Sequence, residues 1–93
     1  MKTIDLSVVI PVLNESDNLQ ELLRRCLAAC REIGGVFEII LVDDGSTDGS
    51  TAMIAAAVDQ YGPEVVAVLL NRNYGQHAAV FAGLSQSHGE IVV

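Results

Sequence analysis

The stretch LVDDGSTDGS, from Leu41 to Ser50, places two adjacent carboxylates at the end of an apolar run. The run has the length and composition of a buried strand, and Asp43 and Asp44 follow directly after it. A plain turn needs only one Asp or Asn together with a Gly. The second carboxylate therefore indicates that this loop does more than reverse the chain, and its role depends on the segments around it.

Apolar runs and amphipathic segments alternate along the whole chain. Strands are predicted at Leu6–Pro11, Phe37–Val42 and Val65–Leu70, with the start of a fourth at Glu90–Val93. Helices are predicted from a cap at Ser16 to Ile33 before Gly34-Gly35, over Ala52–Tyr61 before Gly62-Pro63, and over Gln76–Ser87. Such alternation, with almost entirely apolar strands, predicts a parallel sheet covered on both faces. The expected fold class is α/β: one three-layer α/β/α domain over residues 1–93 with a mostly parallel, Rossmann-like sheet.

Length and charge exclude several classes of protein. The chain has 93 residues, enough for one small domain. Its net charge of −7 argues against a nucleic-acid partner, which requires a basic patch. No apolar stretch approaches the ~18 residues of a membrane-spanning helix, and no signal peptide begins the chain, so a cytoplasmic setting is expected. Cys26 and Cys30 continue the apolar positions of the first helix and are predicted to be buried thiols.

The chain stops within the fourth predicted strand, without a closing helix. We therefore expect it to be the N-terminal part of a longer protein. An edge strand without a neighbour can pair with another chain, so a homo-oligomer formed through this sheet edge is a further expectation.

Three polar segments follow the first three predicted strands. They are Pro11–Glu15, Asp43–Ser46 and Asn71–Gly75. In open α/β sheets, ligands bind at the carboxyl ends of the strands. Each segment by itself is compatible with ordinary turn chemistry, but the three together favour a ligand site.

Several kinds of site do not fit these segments. A dinucleotide site needs glycines after the first strand, where this chain has Pro11 and Leu13, and no P-loop motif is present. A calcium loop that began at Asp44 would need a Glu at its twelfth position, which is Ala55. The acidic pair follows the second strand, whereas a receiver domain would have acidic residues after the first and third. No Ser-His-Asp arrangement is evident.

A pocket for a base and a ribose remains. Asp43, at the strand end, is best placed to accept hydrogen bonds from a base N–H or ribose hydroxyls, while Asp44 orients or caps the loop. Gly45 allows close backbone approach or a positive φ. Asp48 suits the N-terminus of the second helix. Arg72 fits a diphosphate, although an exposed or Asp-paired arginine is an equally good interpretation of that residue.

Two motifs, VVIPVLNE (Val8–Glu15) and ILVDDGSTDGS (Ile40–Ser50), resemble the start of the family 2 glycosyltransferases, whose nucleotide-binding half has the GT-A fold. The resemblance covers essentially the whole chain, in order and at typical spacing. It implies that the base and ribose are held by a set of residues in these motifs: Pro11, Val12, Asn14, Glu15, Asp43 and Gly45. Asp44 also matches the motif.

The third segment, LLNRNYGQHAAVFAGL (Leu69–Leu84), is similar to the polyprenyl-phosphate branch of that family, which includes enzymes of lipid A modification in the bacterial cell envelope. By this resemblance, Arg72, Gln76 and His77 lie near the diphosphate or the sugar. For His77, an exposed residue at a helix start is the alternative.

The resemblance implies inverting transfer of a sugar from a UDP-sugar donor to a polyprenyl (undecaprenyl) phosphate acceptor. The family holds a divalent cation, Mg²⁺ or Mn²⁺, with an Asp-x-Asp motif after the fourth strand. That motif is absent from this chain, so we expect no metal ligand here and no activity of the chain alone. The longer protein is expected at the cytoplasmic face of the inner membrane.

Three alternatives stay open. The chain could belong to another nucleotide-sugar transferase of GT-A type, to a non-catalytic nucleotide-binding module, or to a structural fragment whose loops only close turns. The sugar is not determined by the sequence.

Overall fold

The computed structural model describes residues 3–89 and 91–93. The strands are β1 (Leu6–Val12), β2 (Phe37–Asp43), β3 (Val65–Leu69) and β4 (Ile91–Val92). The helices are α1 (Leu19–Ile33), α2 (Ser50–Tyr61) and α3 (Gln76–Gln86). The strands form one parallel sheet in the order β3-β2-β1-β4. This confirms the predicted fold class.

The start of the first helix differs from the prediction. Ser16 is not its cap: α1 begins after Asn18, and the N–H of Ser16 donates to the Asp48 carboxylate at 3.1 Å. The Glu15 carbonyl accepts the N–H groups of both Asn18 and Leu19, so a turn precedes the helix. The predicted ends at Gly34 and Gly62 are confirmed, and each glycine N–H donates to a carbonyl in the last turn of its helix. The predicted start of the fourth strand, Glu90, lies outside the described residues.

The helices cover both faces of the sheet. On one face α1 and α2 pack against alternate residues of β2, namely Phe37, Ile39 and Leu41. On the other face α3 packs against Ile40 and Val42. Every residue of β2 is buried, as expected for a central strand with two covered faces.

Helix α3 lies unusually close to the sheet at Gly83. A Cβ atom at this position would lie 2.3 Å from Cγ1 of Val9 and 2.9 Å from Cγ2 of Val42. Ala79, one turn earlier, is fully buried in the same contact. Small residues on this face of α3 therefore set its distance from β1 and β2.

A buried polar network joins α3 to the amino end of the sheet. Glu38 in β2 is only 2% exposed, and its carboxylate accepts the Ser7 hydroxyl at 2.6 Å and the His88 N–H at 2.7 Å. The Ser7 hydroxyl oxygen accepts the Gly89 N–H at 2.8 Å. Burial acts to raise the pKa of Glu38, but the hydrogen bonds from Ser7 and His88 outweigh it and lower that pKa. The network holds His88 and Gly89, which follow α3, against β1 and β2.

The two cysteines are free thiols on the core side of α1. Cys30 is buried, and the partial burial of Cys26, next to Cys30, raises the pKa of its thiol to about 11. The predicted burial is therefore confirmed for Cys30, whereas Cys26 is only half-buried. None of the helices in residues 3–89 and 91–93 combines the length and the apolar character needed to cross a membrane.

Candidate nucleotide site

The order of the strands places the candidate site. From β1 the chain passes to β2 and β3 on one side, and then returns through α3 to β4 on the other side of β1. In parallel sheets, ligands bind at the carboxyl ends of the strands where the order reverses in this way. The segments after β1, β2 and β3 meet at this edge, as the sequence predicts.

Asp43 faces α2 at the end of β2. One of its carboxylate oxygens accepts the Ser46 N–H at 2.9 Å, and the other accepts the Thr51 hydroxyl. Only 3% of Asp43 is exposed. Burial acts to raise its pKa, but the hydrogen bonds from Thr51 and Ser46 outweigh burial and hold the pKa below its ordinary value. Asp43 is thus an ionised, internally bonded carboxylate that shapes the loop between β2 and α2.

Asp44 faces the opposite side of the sheet, because successive side chains alternate along an extended chain. Its carboxylate accepts the N–H groups of Tyr74, at 2.8 Å, and Gly75, at 3.0 Å. Asp44 therefore holds the loop between β3 and α3. The adjacent like charges at Asp43 and Asp44 are explained by this division, since each carboxylate fixes a different loop.

Gly45 brings these two loops into direct contact. Its φ is 77°, and a Cβ atom there would lie 2.5 Å from both the carbonyl carbon of Arg72 and the nitrogen of Asn73. Both predicted reasons for a glycine, a positive φ and close backbone approach, are present.

The loop after β1 is fastened to the loop after β2. The N–H groups of Asn14, Glu15 and Ser16 donate to side-chain oxygens of Ser46, Ser50 and Asp48, at 3.0, 2.9 and 3.1 Å. Asp48 also accepts the Ser50 N–H at 2.8 Å, which confirms its predicted place at the start of α2. These hydrogen bonds from Ser50 and Ser16 hold the pKa of Asp48 far below its usual range.

A cavity of about 240 Å³ opens where the three loops meet. Five predicted residues line it: Pro11, Val12, Glu15, Asp44 and Gln76. Three further lining residues were not singled out by the sequence: Leu13, Asn73 and Gly75. Their position inside the predicted loop segments is the signal that could have identified them.

The remaining predicted residues lie beside this cavity rather than in its wall. Asn14, Asp43 and Gly45 belong to the loop contacts described above. Arg72 is exposed, and its guanidinium carbon lies 4.8 Å from the centre of the Tyr74 ring, within cation–π range. His77 is exposed in the first turn of α3. Direct ligand contacts of these five residues stay predictions.

A larger cavity, of about 470 Å³, lies between α1 and α2. Leu23, Leu41, Met53 and Tyr61 are among its lining residues, and it contains none of the predicted site residues. We place the candidate site in the smaller cavity because the polar loops and the end of the acidic motif converge there.

The described residues do not fit a metal ion. Within residues 3–89 and 91–93, no group of three or more His, Cys, Asp or Glu side chains is arranged to hold one. The acidic pair cannot act as a chelate, since Asp43 and Asp44 face opposite sides of the sheet and already accept protein hydrogen bonds.

The fold and the site define a doubly wound α/β protein with a polar pocket at the carboxyl edge of its sheet. The model of the family described as glycosyl transferase family 2 matches residues 7–93. The chain belongs to this family.

Individual relatives agree with this assignment. The chain is 62% identical over 91 residues to the undecaprenyl-phosphate 4-deoxy-4-formamido-L-arabinose transferase of Pseudomonas paraeruginosa, with 97% of this chain and 27% of that protein covered. Among solved structures, S. aureus TarS 1–349 in complex with UDP has a TM-score of 0.75 at 27% identity, with 97% and 27% covered. The mannosyltransferase PcManGT from Pyrobaculum calidifontis, in complex with GDP-Man and Mn²⁺, has a TM-score of 0.79 at 24% identity, with 97% and 26% covered, and supports the fold alone. The chain thus spans about a quarter of the length of these proteins.

Proposed function

We propose that this chain provides the nucleotide-binding part of a glycosyltransferase that moves a sugar from a UDP-sugar to undecaprenyl phosphate. The observation that carries the proposal is the convergence of the three polar loops on one cavity at the carboxyl edge of the sheet. Membership of the glycosyl transferase family 2 supports the reaction class. The 62% identity to a formamido-arabinose transferase supports the acceptor, and the UDP complex of TarS supports the nucleotide.

The base and the ribose occupy the cavity in this proposal. Its volume of about 240 Å³ is below the roughly 300 Å³ at which small-molecule pockets usually begin, so it suits a nucleoside better than a whole nucleotide-sugar. Pro11, Val12 and Leu13 offer an apolar wall for the base. The exposed carboxylate of Glu15 is free to accept ribose hydroxyls, because it makes no hydrogen bond to another residue of the described part of the chain.

The diphosphate and the sugar lie toward the start of α3. The N-terminus of a helix favours negative charge, and Gln76 and His77 stand in its first turn. Arg72 adds a cation next to it, held over the Tyr74 ring. The N–H groups of Asn14, Glu15 and Ser16 before α1 are bonded to the side chains of Ser46, Ser50 and Asp48. At α3, Asp44 takes the N–H groups of Tyr74 and Gly75, so the N–H groups of Gln76 and His77 in the first turn are the donors proposed for the phosphates.

The acceptor needs no strong general base. A lipid phosphate is already anionic at neutral pH and can attack the anomeric carbon directly, with inversion. UDP gains negative charge as it leaves, and Arg72 with the N-terminus of α3 stabilises that charge within this chain.

The proposal predicts that removing the Glu15 carboxylate weakens nucleotide binding without unfolding the chain. UDP is titrated into the full chain and followed through amide chemical shifts, which should move at Val12, Asp44 and Gly75. Glu15→Ala should weaken binding by roughly 10- to 150-fold, since a hydrogen bond to a charged group contributes about 1.5–3 kcal/mol. Glu32→Ala, an exposed glutamate near the other end of α1, is the matched control and should leave the affinity unchanged.

Three results would contradict parts of the proposal. Shifts confined to the cavity between α1 and α2, or no shifts at millimolar UDP in a folded chain, would reject the nucleotide site. If the longer protein bound UDP but transferred no sugar to undecaprenyl phosphate, the proposed reaction would be rejected. The chain would then belong to a non-catalytic nucleotide-binding module.

A further inference from the structure

We infer that Asn14 is a positioning residue that shapes the nucleotide cavity from behind, without touching the nucleotide. The inference rests on the proposed function, concerns the same site, and replaces the nucleotide contact that the family resemblance implies for Asn14. Four of the five residues in Pro11–Glu15 line the cavity, and Asn14 is the exception. The position of Asn14, outside the cavity wall that its neighbours form, therefore needs a physical explanation.

The backbone of Asn14 turns its side chain away from the cavity. Its φ is 52°, and it is the sole non-glycine residue with a positive φ in the part of the chain that the structure describes. L-residues rarely adopt this left-handed conformation, but Asn tolerates it better than most. The positive φ allows Leu13 and Glu15 to face the cavity from both sides of the turn.

The side chain of Asn14 clamps the neighbouring loop. Its Oδ1 accepts the Thr47 N–H at 2.8 Å and lies 3.4 Å from the Thr47 hydroxyl. Its own N–H donates to the Ser46 hydroxyl oxygen at 3.0 Å, and the Ser46 N–H is bonded to Asp43. Asn14 therefore connects the wall after β1 to the acidic end of β2.

Position 14 requires a residue that tolerates a positive φ and has a side-chain acceptor for the Thr47 N–H, and asparagine meets both requirements. Alanine would remove the acceptor and also strain the backbone. Glycine would adopt the positive φ without strain but would likewise remove the acceptor. Aspartate would keep the acceptor and tolerates this φ. The three variants therefore separate the backbone requirement from the hydrogen-bond requirement. Asn18→Ala is the matched control, because Asn18 lies in the same loop and its side chain makes no capping hydrogen bond.

The experiment combines amide hydrogen exchange at Thr47 without ligand and UDP titration of the full chain. Asn14→Asp should keep Thr47 protected and the UDP affinity within about twofold of the original. Asn14→Gly should expose Thr47 to faster exchange and weaken UDP about three- to tenfold, as loss of one hydrogen bond implies. Asn14→Ala should be weaker still, and Asn18→Ala unchanged. Titration at about 0.5 M salt, where the Debye length is about 4 Å, limits repulsion between UDP and the carboxylate that Asn14→Asp introduces.

Three other results would each contradict one of these claims. If Asn14→Asp protects Thr47 but loses UDP as strongly as Asn14→Gly, the Asn14 amide contacts the nucleotide directly and the positioning role is wrong. If Asn14→Gly changes neither Thr47 exchange nor UDP affinity, the clamp has no role. If the original chain binds no UDP, the proposed function fails, while Thr47 exchange still shows whether Asn14 holds the loop.

Discussion

Asp43 and Asp44 are chemically identical neighbours with different surroundings. Asp43 accepts hydrogen bonds from the loop that starts α2, and Asp44 accepts them from the loop that starts α3. Strand geometry alone produces this division, because adjacent side chains at a strand end point to opposite faces. Two like charges can therefore stand side by side in sequence, each stabilised by hydrogen bonds from its own set of donors.

Asp44→Asn tests how strongly one carboxylate holds the β3–α3 loop. The substitution replaces one acceptor oxygen with an NH₂ group, so that one of the N–H groups of Tyr74 and Gly75 faces another donor. The new NH₂ group is the buried donor left unsatisfied, because Asp44 is only 2% exposed, whereas the Gly75 N–H keeps a second acceptor in Oδ1 of Asn73. We expect a loss of about 1–3 kcal/mol in the free energy of unfolding, the usual penalty for such a donor. Asp59→Asn on the exposed side of α2 should change it by no more than about 0.5 kcal/mol. Urea denaturation of both variants measures the difference, and equal midpoints would contradict the assigned role.

Among the elements, helix α3 has a residue, Gly83, that suits close packing against the sheet better than it suits a helix. Gly83 lies where a methyl group would overlap Val9 and Val42. A mid-helix glycine is destabilising by about 1 kcal/mol relative to alanine, so propensity alone would favour Ala at this position. The close contact with the sheet explains why this position has glycine instead.

Gly83→Ala should therefore destabilise the chain despite the better propensity. Overpacking a tight core contact typically costs about 1–3 kcal/mol. The change from glycine to alanine gains about 1 kcal/mol in helix propensity, so the overpacking cost is the larger of the two over most of its range. Adding Val9→Ala to Gly83→Ala removes the nearest overlapping side chain and should make the pair of changes less damaging than their sum. Thermal unfolding of the single and double variants measures this coupling. Simple additivity would show that Gly83 and Val9 do not compete for the same space.

The elements were largely predictable from local signals, and their exceptions have tertiary causes. Apolar runs located the strands, and the glycines after α1 and α2 located the helix ends. The start of α1 was misplaced because Ser16 has the right chemistry for a cap, yet its N–H is used by Asp48, 32 residues away. Local sequence contains no information about that partner.

For the molecule as a whole, the sequence predicted where the site lies better than how its side chains are used. The three loops and their common edge follow from the α/β pattern. The clamp between Asn14 and Thr47 spans 33 residues, and the bond from His88 to Glu38 spans 50. Such contacts depend on the packed sheet, so the buried role of Glu38 could not be recognised in the strand FEIILV.

Glu38 and Asp43 make the stability of the whole fold dependent on pH. Both have a folded-state pKa below the ordinary value, 4.5 for Glu38 and 3.8 for Asp43. The unfolded chain therefore binds more protons than the folded chain as the pH falls through this region. Their stabilising contribution is fully present above pH 4.5 and is lost as the pH falls through the lower, folded-state values.

Glu38→Gln should reduce this acid sensitivity and also lower the stability at neutral pH. The Ser7 hydroxyl and the His88 N–H both donate to Oε2 of Glu38, and a glutamine amide oxygen could take that place but carries no charge. Since hydrogen bonds to a charged group are the stronger ones, we expect a loss of about 1 kcal/mol at pH 7. Since the variant has no carboxylate to protonate at position 38, its free energy of unfolding should fall less steeply between pH 5 and pH 3. Urea denaturation between pH 7 and pH 3 measures both effects. Glu32→Gln is the control for removing an exposed charge, and His88→Ala should have a small effect because its ring is 69% exposed and the backbone bond remains. A slope in Glu38→Gln as steep as in the original chain would show that other carboxylates, Asp43 first among them, govern the acid limit.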